Sequence, residues 1–192
     1  MTLKTAPSSI GALRLAEALR ADGQQDRAAE ELQHWLKQHP DDADVAAVLS
    51  LSDIVALRLE DAESHLKIVL AHKPDDVGAL NNLAWVRSER GDSTARGLAQ
   101  RAYLLGPGPQ TADTLGWILT NENAETSGLP LLRQANLELP NDPEISYHLA
   151  VALHRTGQLE AAIKLLTPLA AGPSFADKPK AGSLLIELAP RR

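Results

Sequence analysis

The sequence predicts an all-α solenoid of five helix-turn-helix repeats followed by a closing helix. Prolines recur at 40, 74, 107 and 140, with spacings of 34, 33 and 33 residues. Between these prolines, apolar residues recur at the spacing of one helix face. Only 3% of the 192 residues are aromatic, and Leu and Ala dominate, which favours closely packed helices over strands.

Each proline marks the point where one helix ends and the next begins. Three of them open the phrase Pro-Asp-Asp or Pro-Asn-Asp. Because proline cannot continue a helix and acidic side chains favour helix N-termini, the last residue of each phrase is a predicted N-cap. These N-caps are Asp42, Asp76 and Asp142. A second break lies midway through three periods, at Gly23, Gly91 and Gly157.

These breaks define the predicted helices. The first helix of each repeat, here called the A helix, is predicted at 8–21, 42–57, 76–89, 109–121 and 142–155. The second, the B helix, is predicted at 24–38, 59–72, 93–105, 125–138 and 159–171, and a capping helix at 177–188. The repeats then span 9–42, 43–76, 77–108, 109–142 and 143–174, and we expect a single domain over 1–192.

Small residues recur in register along these helices. Each A helix carries a Leu followed by a small residue, at Leu15-Ala16, Leu49-Ser50, Leu83-Ala84, Leu115-Gly116 and Leu149-Ala150. Each B helix carries a small residue early in the helix, at Ala28, Ala62, Ala95, Gly128 and Ala162. A two-helix period of 34 with this pattern resembles the tetratricopeptide-repeat (TPR) family over nearly the whole chain. The resemblance implies a concave surface lined by A helices.

Two residues depart from the repeat pattern. Pro168 falls inside the last B helix, where an interior proline costs about 3 kcal/mol or kinks the helix. Asn136 stands where a B helix usually carries an apolar residue, and a capping or interface role is expected for it. Repeats three and four are also shorter by a residue, so their turns should differ from the others.

Charge and composition exclude several classes of function. A formal charge of −6 argues against nucleic acid as a partner, because nucleic-acid binders need a basic face. The absence of cysteine excludes disulfides and thiolate metal sites. Apolar stretches reach about five residues, far short of the ~20 that span a bilayer, so no transmembrane segment is predicted. The first residues also lack the apolar core of a signal peptide.

No catalytic, metal or cofactor motif is found in the sequence. The six histidines include no pair at i, i+4 with a nearby acid, the spacing that helical metal sites use. Gly106 to Pro109 form a turn between repeats, without the preceding strand or following Gly-Lys of a phosphate loop. We therefore expect a protein that is not an enzyme and that holds no cofactor.

Three phrases narrow the resemblance further. They are ALNNLAW at 79–85, DTLGWIL at 113–119 and PEISYHLAVAL at 143–153. Together they resemble the C-terminal region of the TPR-repeat lipoproteins of the PEP-CTERM/exosortase system, called PrsT, over about residues 75–190. This resemblance implies a longer, secreted and lipid-anchored parent chain that accompanies exopolysaccharide production and protein sorting. The chain lacks the lipobox cysteine, so a periplasmic fragment is expected, while its own residues leave a cytoplasmic location open.

The ninth position of each A helix is predicted to face the concave surface. These positions are Glu17, Leu51, Trp85, Trp117 and Val151, with polar residues beside the two tryptophans. Apolar anchors bordered by hydrogen-bonding groups suit a peptide or sugar groove. The predicted groove residues are Asn81, Asn82, Trp85, Asp113, Thr114, Trp117, Tyr147 and His148. The alternative is that each ring packs sideways on the adjacent A helix.

The expected function is a non-catalytic interaction scaffold that binds a protein or peptide in this groove. A carbohydrate-contacting module that uses the same groove for a polysaccharide is the alternative. A clamp for a C-terminal carboxylate is disfavoured, because the concave basic residues Arg14, Arg20 and Arg155 are too far apart in the sequence. The chain is expected to be a monomer or a weak dimer, with the apolar face of 8–21 as a surface for self-association.

Overall fold

A computed structural model describes residues 9–188, which form eleven α-helices and no strand. The chain divides into two compact units. Unit 1, up to Asp92, contains α1 (Ser9–Ala21), α2 (Gln25–Gln38), α3 (Ala43–Val55), α4 (Leu59–His72) and α5 (Val77–Glu89). Unit 2, from Ser93, contains α6 (Ala95–Leu105), α7 (Pro109–Asn121), α8 (Glu125–Glu138), α9 (Pro143–Arg155), α10 (Leu159–Ala171) and α11 (Lys178–Leu188).

The all-α repeat fold is confirmed, and the predicted helix ends agree with the structure to within two residues. The predicted start at residue 8 lies outside the described residues. The division between the units falls inside the third repeat, between α5 and α6. A single domain over 1–192 therefore stays a prediction.

The predicted N-caps are confirmed. The Asp42 carboxylate accepts a hydrogen bond from the backbone N–H of Val45 at 3.1 Å. The Asp76 carboxylate accepts one from Ala79 at 2.9 Å. The Asp142 carboxylate accepts two, from Glu144 at 3.0 Å and Ile145 at 3.1 Å. Each of these A helices begins one residue after its N-cap, which explains the one-residue difference from the predicted bounds.

All five turns between an A and a B helix place one residue in the left-handed region. The predicted glycines do so, with φ of +75° at Gly23, +71° at Gly91 and +77° at Gly157. Leu57 (φ +55°) and Asn123 (φ +59°) occupy the same place in the second and fourth repeats. In each turn the next residue donates its N–H back to the carbonyl five residues earlier, for example Arg58 to Asp53 at 2.8 Å. This is the Schellman ending of a helix.

The small-residue positions are buried, as predicted. The small residues of the B helices and the leucine or alanine four residues later are at most 2% exposed wherever a value is given. Among the large residues of the A helices, Leu49, Leu83, Leu115 and Leu149 are buried. Leu15 departs from the expectation at 47% exposed, because α1 is the first described helix and no described helix packs on its outer side.

Helices α7 and α8 of unit 2 approach each other closely, with a glycine at the contact on each side. A Cβ on Gly128 would lie 2.6 Å from the carbonyl oxygen of Gly116 and 2.8 Å from the hydroxyl of Thr120. A Cβ on Gly116 would lie 2.8 Å from Cγ of Leu132. These distances are shorter than any ordinary carbon contact, so only glycine fits at both positions.

Asn136 links two repeats in unit 2. Its amide Nδ2 donates a hydrogen bond of 2.9 Å to the hydroxyl of Ser146, which is 5% exposed on α9. The polar residue at an apolar position therefore serves packing between α8 and α9, in line with the expected interface role. The closing helix α11 covers the last pair through buried Ala181, as predicted.

Prolines lie inside two B helices. Helix α10 continues past Pro168 to Ala171, with Pro168 exposed to solvent. Pro130 lies inside α8 and is also exposed. Both rings are exposed to solvent. Each helix therefore tolerates its proline, although each loses one backbone hydrogen bond because proline has no N–H.

Unit 1 contains a buried ionic group that the sequence did not reveal. Asp53 is 0% exposed, and the Arg58 guanidinium donates to its Oδ1 at 2.8 and 2.9 Å. Nδ1 of His65 lies 2.7 Å from its Oδ2. Both carboxylate oxygens are thus satisfied, as a buried charge requires.

We predict that Gly128→Ala lowers the free energy of unfolding by about 1–3 kcal/mol, because the added methyl pushes α8 away from α7. Alanine otherwise favours a helix by about 1 kcal/mol. Gly182→Ala in α11 is the matched control, since a Cβ there meets nothing within 4 Å, and it should stabilise. Urea denaturation of both variants measures the effect, and equal shifts would contradict the close contact.

We predict that Leu57→Asn raises the free energy of unfolding by about 0.5–1 kcal/mol, because asparagine tolerates the left-handed conformation better than leucine. Leu57 is 70% exposed, so little packing is lost. The reciprocal change Asn123→Leu should lower stability by a similar amount. Thermal and urea unfolding of the pair provide the test, and shifts of the same sign would disprove the explanation.

Candidate functional site

The predicted groove residues are divided between the two units. Asn81, Asn82 and Trp85 lie on α5 in unit 1. Asp113, Thr114 and Trp117 on α7, and Tyr147 and His148 on α9, lie in unit 2. The surface that the A helices present within one unit is called its A face.

On the A face of unit 1, helices α3, α4 and α5 surround a cavity of about 250 Å³. Its walls are mainly apolar, and Leu51 at its edge is 55% exposed. Asn82 contributes the amide on one wall, and that side chain makes no hydrogen bond to any described residue. The cavity therefore offers an apolar recess with one free amide donor and acceptor. The lining residues are Ala47, Ser50, Leu51, Leu66, Val69, Asp76, Gly78, Ala79 and Asn82.

The neighbours of Asn82 on α5 are less open. The Oδ1 atom of Asn81 is buried and has no hydrogen-bond partner among residues 9–188. Trp85 is partly buried. Asn82 is thus the residue of this set that lines an open recess.

In unit 2, Trp117, His148 and Asp113 come together as one group. The imidazole of His148 stacks on the indole of Trp117 with ring centroids 4.2 Å apart and planes 16° apart. Nδ1 of His148 lies 2.9 Å from each carboxylate oxygen of Asp113. A carboxylate only accepts hydrogen bonds, so Nδ1 carries the hydrogen and donates it to Asp113. The stack and this bond together fix the orientation of the ring.

The second nitrogen of His148 is left available. His148 is only 7% exposed, yet its Nε2 makes no hydrogen bond within residues 9–188. Nε2 is also not among the buried atoms that lack a partner, so it reaches the surface. With the hydrogen on Nδ1, the neutral ring presents Nε2 as an acceptor.

Trp117 is also part of the packing of unit 2. It lies against a cluster of buried residues formed by α9, α10 and α11, and its ring centroid is 6.1 Å from that of Tyr147. Tyr147 in turn lies 6.5 Å from Phe175 and is 6% exposed. The Trp117 ring therefore packs sideways on the next A helix, and part of it stays exposed.

Burial shapes the chemistry of this cluster. It raises the pKa of the Tyr147 hydroxyl above its usual value, and the charge of Asp177 adds to the effect, so Tyr147 stays neutral. Thr114 is 8% exposed, so it and Tyr147 offer little surface to a ligand. The reachable groups in unit 2 are the exposed part of Trp117 and Nε2 of His148.

Two carboxylates interact with His148: Asp113 by a hydrogen bond and Glu144 through its charge. Desolvation by burial is the main cause that raises the pKa of the Glu144 carboxyl. The charges of Asp142, Asp177 and Asp113 raise this pKa further, whereas His148 lowers it. Glu144 as a whole nevertheless remains exposed. Neither Glu144 in the first turn of α9 nor Asp177 directly before α11 stands out in the sequence, because a carboxylate at a helix N-terminus is usually explained by the helix dipole.

Two of the three candidate basic residues of the A helices, Arg20 and Arg155, make contacts within the protein. Arg20 donates to the hydroxyl of Ser52 at 2.9 Å. Arg155 donates to the backbone carbonyl of Thr120 and lies 3.8 Å from Glu125. Within residues 9–188, no three His, Asp or Glu side chains are placed to hold a metal ion, and no helix is long and apolar enough to cross a membrane.

Comparison with known proteins supports the repeat assignment. Residues 122–174 match the family model described as tetratricopeptide repeat. A TPR repeat-containing protein of Pseudomonas aeruginosa is 34% identical over 137 residues, which cover 70% of this chain and 23% of that protein. Cellulose synthase 1 operon protein C of Komagataeibacter xylinus is 32% identical over 149 residues, covering 72% of this chain and 11% of that protein. The chain thus spans less than a quarter of the length of these relatives.

The fold is also similar to solved structures. PilW, described as a widely conserved type IV pilus biogenesis factor, superposes with a TM-score of 0.75. The match covers 95% of this chain and 87% of PilW at 17% sequence identity. An identity this low shows the fold alone.

We predict that Trp117→Ala lowers the free energy of unfolding by about 3 kcal/mol, because it removes the packing against α9 and the stack on His148. Trp117→Phe keeps most of this contact and should cost clearly less. Leu137→Ala is the control, because Leu137 is 82% exposed on α8, and it should change stability by no more than about 0.5 kcal/mol. Urea denaturation measures all three, and an unaffected Trp117→Ala variant would exclude a packing role.

Proposed function

Because this chain is a tetratricopeptide-repeat protein, we propose that it is a non-catalytic scaffold that binds a partner segment on its A faces. The observation that carries the proposal is the pair of preformed recognition elements, one in each unit. Unit 1 offers the apolar recess with the free amide of Asn82. Unit 2 offers Trp117 and the accessible Nε2 of His148.

These elements suit binding better than chemistry. An apolar recess bordered by an amide can take a side chain while the amide bonds to the partner's backbone. The His148 ring is held by Asp113, but no Ser, Thr or Cys hydroxyl or thiol is hydrogen-bonded to its Nε2 within residues 9–188. A nucleophile beside the base is what a covalent mechanism would need.

We place this scaffold in the production or export of a bacterial exopolysaccharide, with the partner a protein of that machinery. The names of relatives from cellulose synthase operons support this setting. So does the resemblance of 79–85, 113–119 and 143–153 to the PrsT lipoproteins. A periplasmic location and a role in PEP-CTERM sorting belong to the same proposal.

A carbohydrate ligand is the second candidate. The exposed part of Trp117 could stack on the CH face of a sugar ring, and Asn82 could bond to sugar hydroxyls. The same residues would then contact the polymer directly, and a soluble glycan would compete with binding.

The proposal is tested by affinity capture from an envelope extract with the full chain as bait. We expect Leu51→Glu to lose the captured partner, because it places a charge at the edge of the recess in unit 1. The matched control is Leu104→Glu on the B helix α6, where the leucine is 80% exposed and lies outside the A faces. Both variants should stay as helical as the original chain in circular dichroism, because both side chains are exposed.

The outcomes separate the alternatives. A partner that binds the original chain and Leu104→Glu but not Leu51→Glu supports the A face of unit 1. The variant Trp117→Phe applies the same test to unit 2 with the packing kept. Equal capture by all variants would exclude the A faces as the binding surface. Release of the partner by purified exopolysaccharide would favour the carbohydrate alternative.

A further inference from the structure

The A face of unit 2 carries a hydrogen-bond acceptor set in a negatively charged surrounding. His148 is more than nine-tenths buried, and its single reachable polar atom is Nε2. Nδ1 of His148 donates its hydrogen to the carboxylate of Asp113 and lies 2.9 Å from each of the two oxygens. In the neutral ring this bond places the single hydrogen on Nδ1 and so leaves Nε2 as an acceptor, and it puts a carboxylate directly behind the ring.

Several carboxylates lie near this ring. Asp113 contacts the imidazole directly, and His148, Asp142, Asp177 and Asp113 all lie within electrostatic reach of Glu144. Of the nearby cations, Lys180 is paired with Asp177 at 2.7 Å. Lys178 donates to the backbone carbonyl of Gly172. Glu144 remains exposed and has no ion-pair partner within residues 9–188.

The exposed part of an indole ring adds a third element. Trp117 is partly buried and supports the His148 ring at 4.2 Å. Aromatic faces attract ammonium and guanidinium groups, and a carboxylate strengthens the attraction. Acceptor, negative field and indole therefore favour the same class of group, a cation that donates hydrogen bonds.

We propose that the Asp113–His148 pair, with Trp117 and Glu144, is a subsite for a lysine or arginine side chain of a bound peptide segment. The ammonium or guanidinium donates a hydrogen bond to Nε2 of His148 and lies in the field of Asp113 and Glu144. The subsite rests on the proposed function, since it specifies which segment the A face of unit 2 selects. It favours a basic segment of a protein over a neutral polysaccharide, because only a charged group gains the ion-pair attraction of the carboxylates in addition to a hydrogen bond.

The test uses a random dodecapeptide display library selected on the full chain. We expect the selected peptides to be enriched in Lys or Arg at one position. Selection on Asp113→Asn or on Glu144→Gln should lose this enrichment. The matched control is Glu160→Gln on α10, which removes one exposed carboxylate outside the A face and should keep it.

A selected peptide then gives a quantitative readout by fluorescence anisotropy. The full chain should bind it about tenfold more tightly than the analogue with norleucine at the basic position, as expected for a charge-assisted hydrogen bond. Asp113→Asn should reduce this preference to about twofold or less. Because Asp113 holds His148, its variant is checked by circular dichroism and thermal unfolding, and the exposed Glu144→Gln serves as a second variant that leaves the packing intact.

Three results would overturn the subsite. Selected peptides without basic residues would exclude it and leave the scaffold proposal standing. Equal preference in the original chain, Asp113→Asn and Glu144→Gln would place the cation elsewhere. No selection of any peptide, together with binding of a neutral exopolysaccharide by the same preparation, would reject both the subsite and a peptide partner.

Discussion

Small residues where an A helix crosses its B helix set the distance between the two helix axes. This holds for each repeat whose two helices lie in the same unit. Where a methyl group or a hydrogen replaces a longer side chain, the helix axes come close enough for the leucines one turn further on to be fully buried. Leu32 and Leu132 are both 0% exposed for this reason. Once these leucines are buried between the two helices, the remaining side chains of each helix must face either the next repeat or solvent. The A–B crossing thus also determines which side chains are exposed.

The same crossing explains why these repeats need one another. A pair of helices buries only a narrow stripe of apolar surface, which barely offsets the entropy of ordering some thirty residues. Contacts between successive pairs supply the rest, such as the bond from Asn136 to Ser146. Polar contacts of this kind also fix how far one pair is shifted along the next, which apolar packing alone leaves loosely defined.

Most of the fold was predictable because it is encoded locally and repeatedly. Prolines, N-cap aspartates and small residues act within a few positions of where they stand, so the helix ends followed from the sequence. Leu57 and Asn123 did not reveal their left-handed turns, since neither is a glycine and only the period places them. Asp53 was missed because its partners Arg58 and His65 follow it at spacings that no motif describes.

The candidate site was predictable by position but not by exposure. The ninth residue of each A helix was placed on the predicted surface, yet Leu51 is 55% exposed and Val151 only 7%. That difference comes from the neighbouring helices, in particular α11, which packs over the cluster that contains Val151. The orientation of the His148 ring depends on Asp113, 35 residues earlier, and a helical period alone does not predict a side-chain bond over that distance.

The buried group at Asp53 limits how freely these repeats could be exchanged. Their backbones are alike, down to the left-handed residue in each turn, and a gene could gain or lose such units by recombination. Yet the carboxylate of Asp53 depends on an arginine in its own turn and a histidine on its own B helix. A crossover between Asp53 and His65 would leave the buried carboxylate without one or both of its partners. A crossover at the Pro-Asp-Asp phrase would keep the three residues together. Duplication of this repeat therefore keeps the group intact when the breakpoints lie outside residues 53–65.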